Sequence, residues 1–294
     1  MKKSLQMLLK ILVSGTLLTI IFLQVDKEIF LNNIKLLDLR FAPLIFLFII
    51  LNYVIGAYRW KSLLIHNNAE KVSVKYLIYL YFTGAFFNNF MPTTVGGDVY
   101  KIYKLGKKID NTVDAFSATF MERFTGVIAL VFISVVSLVQ LLGMWGVILL
   151  VGFFISIIVG YLALGFLSNK YDKLTKIYNS ISAYRGKPKV LWWAFLTSFV
   201  IQLLSIFTQY FIFFALGIPL PVVYSLFIFP VITLAGFFIP SLNGIGVQDA
   251  LFMKLFLTVG VATPISLSAS IIYHLFRLGV SLVGGVFYAM GKDD

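Results

Sequence analysis

One run of seven residues concentrates the chemistry in this chain: Pro92-Thr93-Thr94-Val95-Gly96-Gly97-Asp98. A prolyl ring ends a helix. Glycines let the backbone take unusual angles and come close to a ligand. Asp98 then opens a new helical stretch, Val99–Leu105. A helix start presents free N–H groups and a partial positive charge, which suits an anionic group such as a phosphate. The plainer reading makes Asp98 an N-cap. The two roles are compatible, although its own charge competes with an anion. Lys101, Lys104 and Lys108 follow on one face at helical spacing, with Val99, Ile102 and Leu105 on another. That is the pattern of a short amphipathic helix at a charged headgroup surface. Ordinary anchoring accounts for any one of these lysines. Lys101, nearest the glycine turn, is the best placed to do more.

Other ionisable residues interrupt apolar runs: Glu122, Arg123, Asp249, His274 and Arg277. Charges at membrane depth are costly, face the protein interior and mark functional sites by default. The competing reading is structural, with Arg123 paired to Asp249 or Glu122 to Arg277 so that two halves lock together. Glu122 and Arg123 are adjacent on a helix and do not face each other. His274 precedes Arg277 by one helical turn and reads most simply as a hydrogen-bonded interior residue. Covalent chemistry finds little support. The chain has no cysteine and two histidines, His66 and His274, which removes thiolate chemistry and histidine-rich metal sites. Asp98, Glu122 and Asp249 are too scattered to form a dense acidic motif, so no metal, cofactor or catalytic constellation is expected.

The elements that position these groups are membrane spans. Hydrophobic residues make up 60% of the 294 and charged residues 12%, against about 45–50% and about 25% in soluble domains. Mean hydropathy is +0.95. A soluble enzyme is excluded on these grounds. The net charge of +12 does not indicate nucleic acid, because the basic residues cluster between apolar runs as short cytoplasmic loops do. A span needs about 20 apolar residues. Leu5–Val25 qualifies, and the following Asp26 offers no small-residue cleavage pattern, so it is expected to be retained. Phe41–Tyr58 is next. Tyr76–Gly97 is unusual, because it carries Asn88, Asn89, Pro92 and the glycine pair. Phe124–Ser168 holds two spans with a turn near Gly143–Gly146, and Val190–Gln248 breaks at Gly217–Pro221. Leu255–Tyr273 and the stretch to Met290 complete the set. The 30 Phe and 15 Tyr read as lipid contacts and interface markers.

Charge then chooses the topology. With the N-terminus inside and Tyr76–Gly97 crossing fully, ten basic residues of the 101–108 and 170–189 clusters lie outside. If Tyr76–Gly97 dips in and returns to the same side, eighteen basic residues lie inside and three outside. A re-entrant hairpin around Asn88–Lys108 follows. Non-helical backbone at that depth is tolerated only within protein or around a water-filled cavity. The second half carries a faint echo. Phe86-Phe87, Pro92, Gly96-Gly97-Asp98 and Arg123 are answered by Phe237-Phe238, Pro240, Gly244, Gly246, Asp249 and Arg277. Three spans between the two places put the second hairpin on the opposite face, unless it is two short full spans. The expected fold is all-α integral membrane. It has about six full transmembrane helices and two re-entrant hairpins in an inverted repeat, with halves at about 76–142 and 222–290 of a single domain, 1–294. Inverted repeats of broken helices that meet near the midplane are a transporter design.

Phe90-Met91-Pro92-Thr93-Thr94-Val95-Gly96-Gly97-Asp98-Val99-Tyr100-Lys101, Glu122-Arg123, the Pro240–Asp249 segment and Arg277 resemble the flippase-type membrane domain of the lysylphosphatidylglycerol synthase family. The resemblance covers nearly the whole chain. It implies movement of an aminoacylated phospholipid in bifunctional members, whose separate soluble domain makes that lipid. These 294 residues leave no room for such a domain, so the chain is expected not to be a synthase. Stand-alone relatives imply a link with lipid-bound sugars or envelope glycosylation. Lys101 stands where the family usually shows arginine, Asp249 where it shows glutamate, and Asn243 where glycine is common. The expected function is a polar-lipid flippase in the cytoplasmic membrane, multi-pass, with both termini cytoplasmic. Its candidate headgroup-binding residues are Asn89, Pro92, Gly96, Gly97, Asp98, Lys101, Glu122, Arg123, Pro240, Asn243, Gly244, Gly246, Asp249, His274 and Arg277. The expected partner is a phospholipid or lipid-linked saccharide, with a lipid-modifying enzyme or glycosyltransferase alongside. The alternatives are an intramembrane transferase or phosphatase, and a non-catalytic partner of a glycosyltransferase.

Overall fold

A computed structural model describes residues 28, 32–33, 35–65, 68–90, 96–239, 241 and 243–291. The expected first span, Leu5–Val25, and the positions of Pro92, Pro240 and both chain ends lie outside these residues. The described part is all-helical, with ten α-helices. They are α1 (Ala42–Ser62), α2 (Val74–Phe90), α3 (Gly96–Ile109), α4 (Thr112–Leu142), α5 (Met144–Ser168), α6 (Asp172–Ser182), α7 (Pro188–Ala215), α8 (Val222–Phe238), α9 (Val247–Leu257) and α10 (Thr263–Ala289). Among the described residues, five segments are long and apolar enough to cross a membrane: Leu39–Ser62, α4, α5, α7 and α10.

Local sequence explains the helix ends. Prolines stand in the first turn of α1, α7 and α10, where their missing N–H is no loss. Asn111 caps α4, its side chain accepting from the Asp114 backbone N–H at 3.0 Å. Gly143, at φ +57°, turns the chain from α4 to α5, at the break the sequence predicts. The Gly217–Pro221 break separates α7 from α8 as expected. The apolar run Leu255–Tyr273 is not one span, because it is divided between α9 and α10 by residues 258–262.

Two ends of the bundle are defined by contacts. At the basic end, the Tyr184 hydroxyl donates to the Leu63 carbonyl at 2.6 Å, and Asn68 donates to Asp114 at 2.7 Å. A core around Trp60, Leu77, Leu105, Ala118 and Tyr184 fills this end. At the opposite end the Asp38 N–H donates to Ala215 at 2.9 Å. There Phe213, Phe229, Phe252 and Phe256 pack together, Phe213 and Phe256 at 4.5 Å between centroids. The helix α5 lies at the periphery, and only Gly146 and Ser168 on it are buried.

Helices α2 and α3 pair as an antiparallel hairpin. Its base lies at the basic end, where Tyr76 reaches the Lys104 carbonyl at 3.3 Å. Near its tip the Gly97 N–H donates to Asn88 Oδ1 at 2.7 Å. The pairing is close because Gly97 faces the Gly84 carbonyl with no room for a Cβ. Helices α8 and α9 pair in the same manner from the other end, Phe229 against Phe256 at 5.2 Å and Gly236 against Gln248. Asn243, Gly244 and Gly246 turn their tip at φ +49°, +87° and +85°, a left-handed run that glycine and asparagine tolerate best. Helix α10 then runs antiparallel to α2, with Gly284 seated on the Phe82 backbone and Gly285 on the Phe86 ring. These glycines serve close helix packing.

Candidate functional site

The two hairpin tips meet. Asn243 donates its side-chain amide to Asn89 Oδ1 at 2.8 Å, and Asn89 donates to the Ser281 hydroxyl at 2.6 Å. Arg277 reaches Asn243 Oδ1 at 3.3 Å, with its guanidinium 5.3 Å from the Tyr273 ring centroid. Beside this junction is a cavity of about 320 Å³. Its lining draws Asn52 and Arg59 from α1, Asn88 and Asn89 from α2, and Asp98 and Lys101 from α3. Glu122 and Arg123 come from α4, Gln202 from α7, Phe237 from α8, and Arg277 from α10.

The ionic groups form a chain that alternates in sign. Arg123 Nε donates to Asp98 Oδ2 at 2.5 Å. Asp98 Oδ1 lies 3.4 Å from Lys101 Nζ, which in turn lies 3.3 Å from Glu122 Oε2. Glu122 Oε1 accepts from Arg59 at 2.9 Å. Lys101 also stands over the Tyr81 ring at 3.9 Å and the Trp60 ring at 4.6 Å, which hold its charge in place of water. Asp98, Lys101, Glu122 and Arg59 are all buried. Such burial is tolerable because each charge has a partner of opposite sign. The α1 and α7 helices support the far end, where Arg59 donates to the Ser198 hydroxyl at 2.8 Å. Neutral amides and hydroxyls line the rest, with Asn52 donating to Ser205 at 2.7 Å and Gln202 to the Gly126 carbonyl at 3.1 Å.

Of the residues singled out in the sequence, Asn89, Asp98, Lys101, Glu122, Arg123, Asn243 and Arg277 line this cavity. Gly96, Gly97, Gly244, Gly246, Asp249 and His274 are not part of its lining. Gly97 acts one step back, letting α3 approach α2 closely enough to deliver Asp98 and Lys101. Asp249 is buried at the start of α9. It accepts from the Gly246 N–H at 2.7 Å and from the Ser270 hydroxyl at 2.5 Å, with His274 Nε2 at 3.3 Å and off-line for a hydrogen bond. Pro92 and Pro240 lie outside the described residues.

The geometry bears on three readings that the sequence raised. Arg123 pairs with Asp98 rather than Asp249, and Glu122 with Arg59 and Lys101 rather than Arg277. Asp98 is not the cap of its helix. It sits inside the first turn facing Arg123, and Asn88 of α2 takes the Gly97 N–H. The three lysines share a stripe but not an environment, because Lys101 is buried under α1 and α2 while Lys108 is exposed. Arg59 was the main residue the sequence concealed. It sits near the end of an apolar run and counts there as flanking basic charge. Its position opposite Glu122 is a tertiary fact. Asn52 and Gln202 carried a fainter signal, as lone amides inside apolar spans. Among the described residues, no three histidine or carboxylate side chains come together as a metal site requires.

The arrangement provides a polar, ion-lined chamber beside the meeting of two helical hairpins inside an apolar bundle. A family described as "Lysylphosphatidylglycerol synthase TM region" matches residues 7–285. No curated protein and no solved structure matches the chain.

Proposed function

The chain belongs to the lysylphosphatidylglycerol synthase transmembrane family, and from that membership and the chamber at its centre we propose that it moves a polar lipid across the cytoplasmic membrane. The observation that carries this reading is the meeting of two opposed hairpins, joined at Asn89 and Asn243, beside buried ionic side chains. In a bilayer the basic end, with Lys71, Lys75, Lys107 and Lys108, takes the cytoplasmic side. Both hairpins are then re-entrant and enter from opposite faces, and the halves at 76–142 and 222–290 form an inverted repeat. Helix breaks at the midplane let one half rock against the other around a fixed site. The headgroup occupies the chamber while the acyl chains stay in lipid. No bond is made or broken, and the protein acts as a transporter rather than an enzyme. A lipid-modifying enzyme or glycosyltransferase in the same membrane would supply or consume the lipid.

The test is headgroup transfer in proteoliposomes, read by quenching of fluorescent phospholipid from outside. The expected result is transfer by the parent chain and its loss in Asp98→Ala and Arg123→Ala variants that remain folded. An unchanged rate in both variants overturns the site assignment, and absence of transfer by the parent overturns the function.

A further inference from the structure

The charges around the chamber do not balance, and the imbalance has a consequence for what it admits. Four cationic side chains line it, Arg59, Lys101, Arg123 and Arg277, against two carboxylates, Asp98 and Glu122. Both carboxylates are fully engaged. Each of their four oxygens has a cation beside it, at 2.5 and 3.4 Å on Asp98 and at 2.9 and 3.3 Å on Glu122, with Lys101 shared between the two carboxylates. A headgroup ammonium would therefore find no free carboxylate on the described lining, and it would face a formal surplus of two positive charges.

The unused groups are mostly donors. Arg277 has no acidic partner among the described residues, only the amide oxygen of Asn243 at 3.3 Å and the Tyr273 ring. Arg59 Nε is buried with no acceptor. A charged donor held only by a long bond to a neutral amide gains most from an ionised acceptor, and a guanidinium meets phosphate oxygens two at a time. Gln248 Oε1, an acceptor without a partner on the same lining, is neutral and suits a headgroup hydroxyl.

On the transport reading above, we propose that the chamber selects a lipid whose headgroup carries a phosphate of net charge near −2, and rejects a cationic, aminoacylated headgroup. The phosphate docks on Arg277 at the seam of the two tips, taking the place of the Asn243 oxygen. A lipid phosphomonoester carries about −1.5 to −2 charges at neutral pH, which matches the surplus. A phosphodiester brings half of that.

The test is equilibrium binding to the purified full chain, followed by calorimetry. The probes are dioctanoyl phosphatidic acid, dioctanoyl phosphatidylglycerol, dioctanoyl lysylphosphatidylglycerol and inorganic phosphate. Phosphatidic acid is expected to bind at least tenfold tighter than phosphatidylglycerol, and the lysyl lipid weakest of the three. Arg277→Gln is expected to weaken phosphatidic acid by about 10- to 100-fold and to flatten its salt dependence. Arg277→Lys, which keeps the charge and loses the fork, falls between. The second variant keeps the test valid where Arg277→Gln fails to fold. Tightest binding of the lysyl lipid, or unchanged phosphatidic acid affinity in folded Arg277 variants, overturns the proposal. Equal affinity for inorganic phosphate overturns its lipid part. Transfer in proteoliposomes separates the two readings. Transfer that favours the cationic lipid sinks the charge selectivity and leaves transport standing. Selective phosphatidic acid binding without any lipid transfer sinks transport and leaves the anion site standing.

Discussion

Glu122→Gln is the sharpest perturbation of the buried ion chain. The substitution keeps the shape of the side chain and removes one charge. Glu122 holds Arg59 at 2.9 Å and Lys101 at 3.3 Å, and all three are buried. After the change Arg59 keeps the Ser198 hydroxyl at 2.8 Å and at best a neutral amide oxygen, and Asp98 is the one carboxylate left beside Lys101. Breaking a buried pair from one side costs about 3–5 kcal/mol, because the remaining charge stays out of water. At about 2 °C per kcal/mol for a chain of this size, thermal melting in detergent falls by roughly 6–10 °C. The second arm is Lys101→Met. It leaves Asp98 with Arg123 and Glu122 with Arg59, so no carboxylate is stranded and its own cost is smaller. Combined with Glu122→Gln it removes a cation that the first change had left underpartnered. The double variant is therefore expected to lose about 1–3 kcal/mol less than the sum of the two singles. A Glu122→Gln protein that melts with the parent, or strict additivity in the double variant, would refute the ion chain.

Gly97→Ala drives a methyl group into the Gly84 carbonyl. It is expected to part α2 from α3 and lower the melting temperature at least as far as Glu122→Gln does. Gly152→Ala, with nothing within 4 Å of the new Cβ, is the matched control and should leave melting unchanged or raise it slightly. Asp249→Ala removes acceptors for Ser270 and the Gly246 N–H. It is expected to lower stability by about 1–3 kcal/mol without changing the order of lipid affinities, since Asp249 does not line the chamber; a changed order would place it in the site. Single cysteines for Asn111 and Gly260, in a chain without cysteine, are expected to label from opposite faces of intact cells. Labelling from one face would remove the opposed hairpins.

Much of the architecture was legible because helix ends are local. Gly143 and the Gly217–Pro221 stretch end helices wherever the chain folds, and both breaks appear. Glu122 and Arg123 stood out because charge in an apolar run is expensive, Asp98 and Lys101 because they follow the glycine turn, and all four line the chamber. Their pairing was not legible, since it depends on which helices neighbour one another. Lys101, Lys104 and Lys108 share one face of α3, yet Trp60 of α1 and Tyr81 of α2 cover only the Lys101 end. Asp249 drew attention by its charge and by its place in the echo of the first hairpin. In the fold that charge is met by a helix start and the Ser270 hydroxyl. Arg59 was hidden by its place near the end of an apolar segment, where an interfacial arginine and a buried one look the same.

Cross-linking the two tips tests the central claim most directly. Asn89→Cys and Asn243→Cys together replace an amide pair that touches at 2.8 Å. A short, reductant-cleavable bifunctional thiol reagent is expected to join them within one chain, to halt lipid transfer in proteoliposomes, and to release it on reduction. Failure of the pair to cross-link, or transfer at the parent rate while cross-linked, would contradict the account.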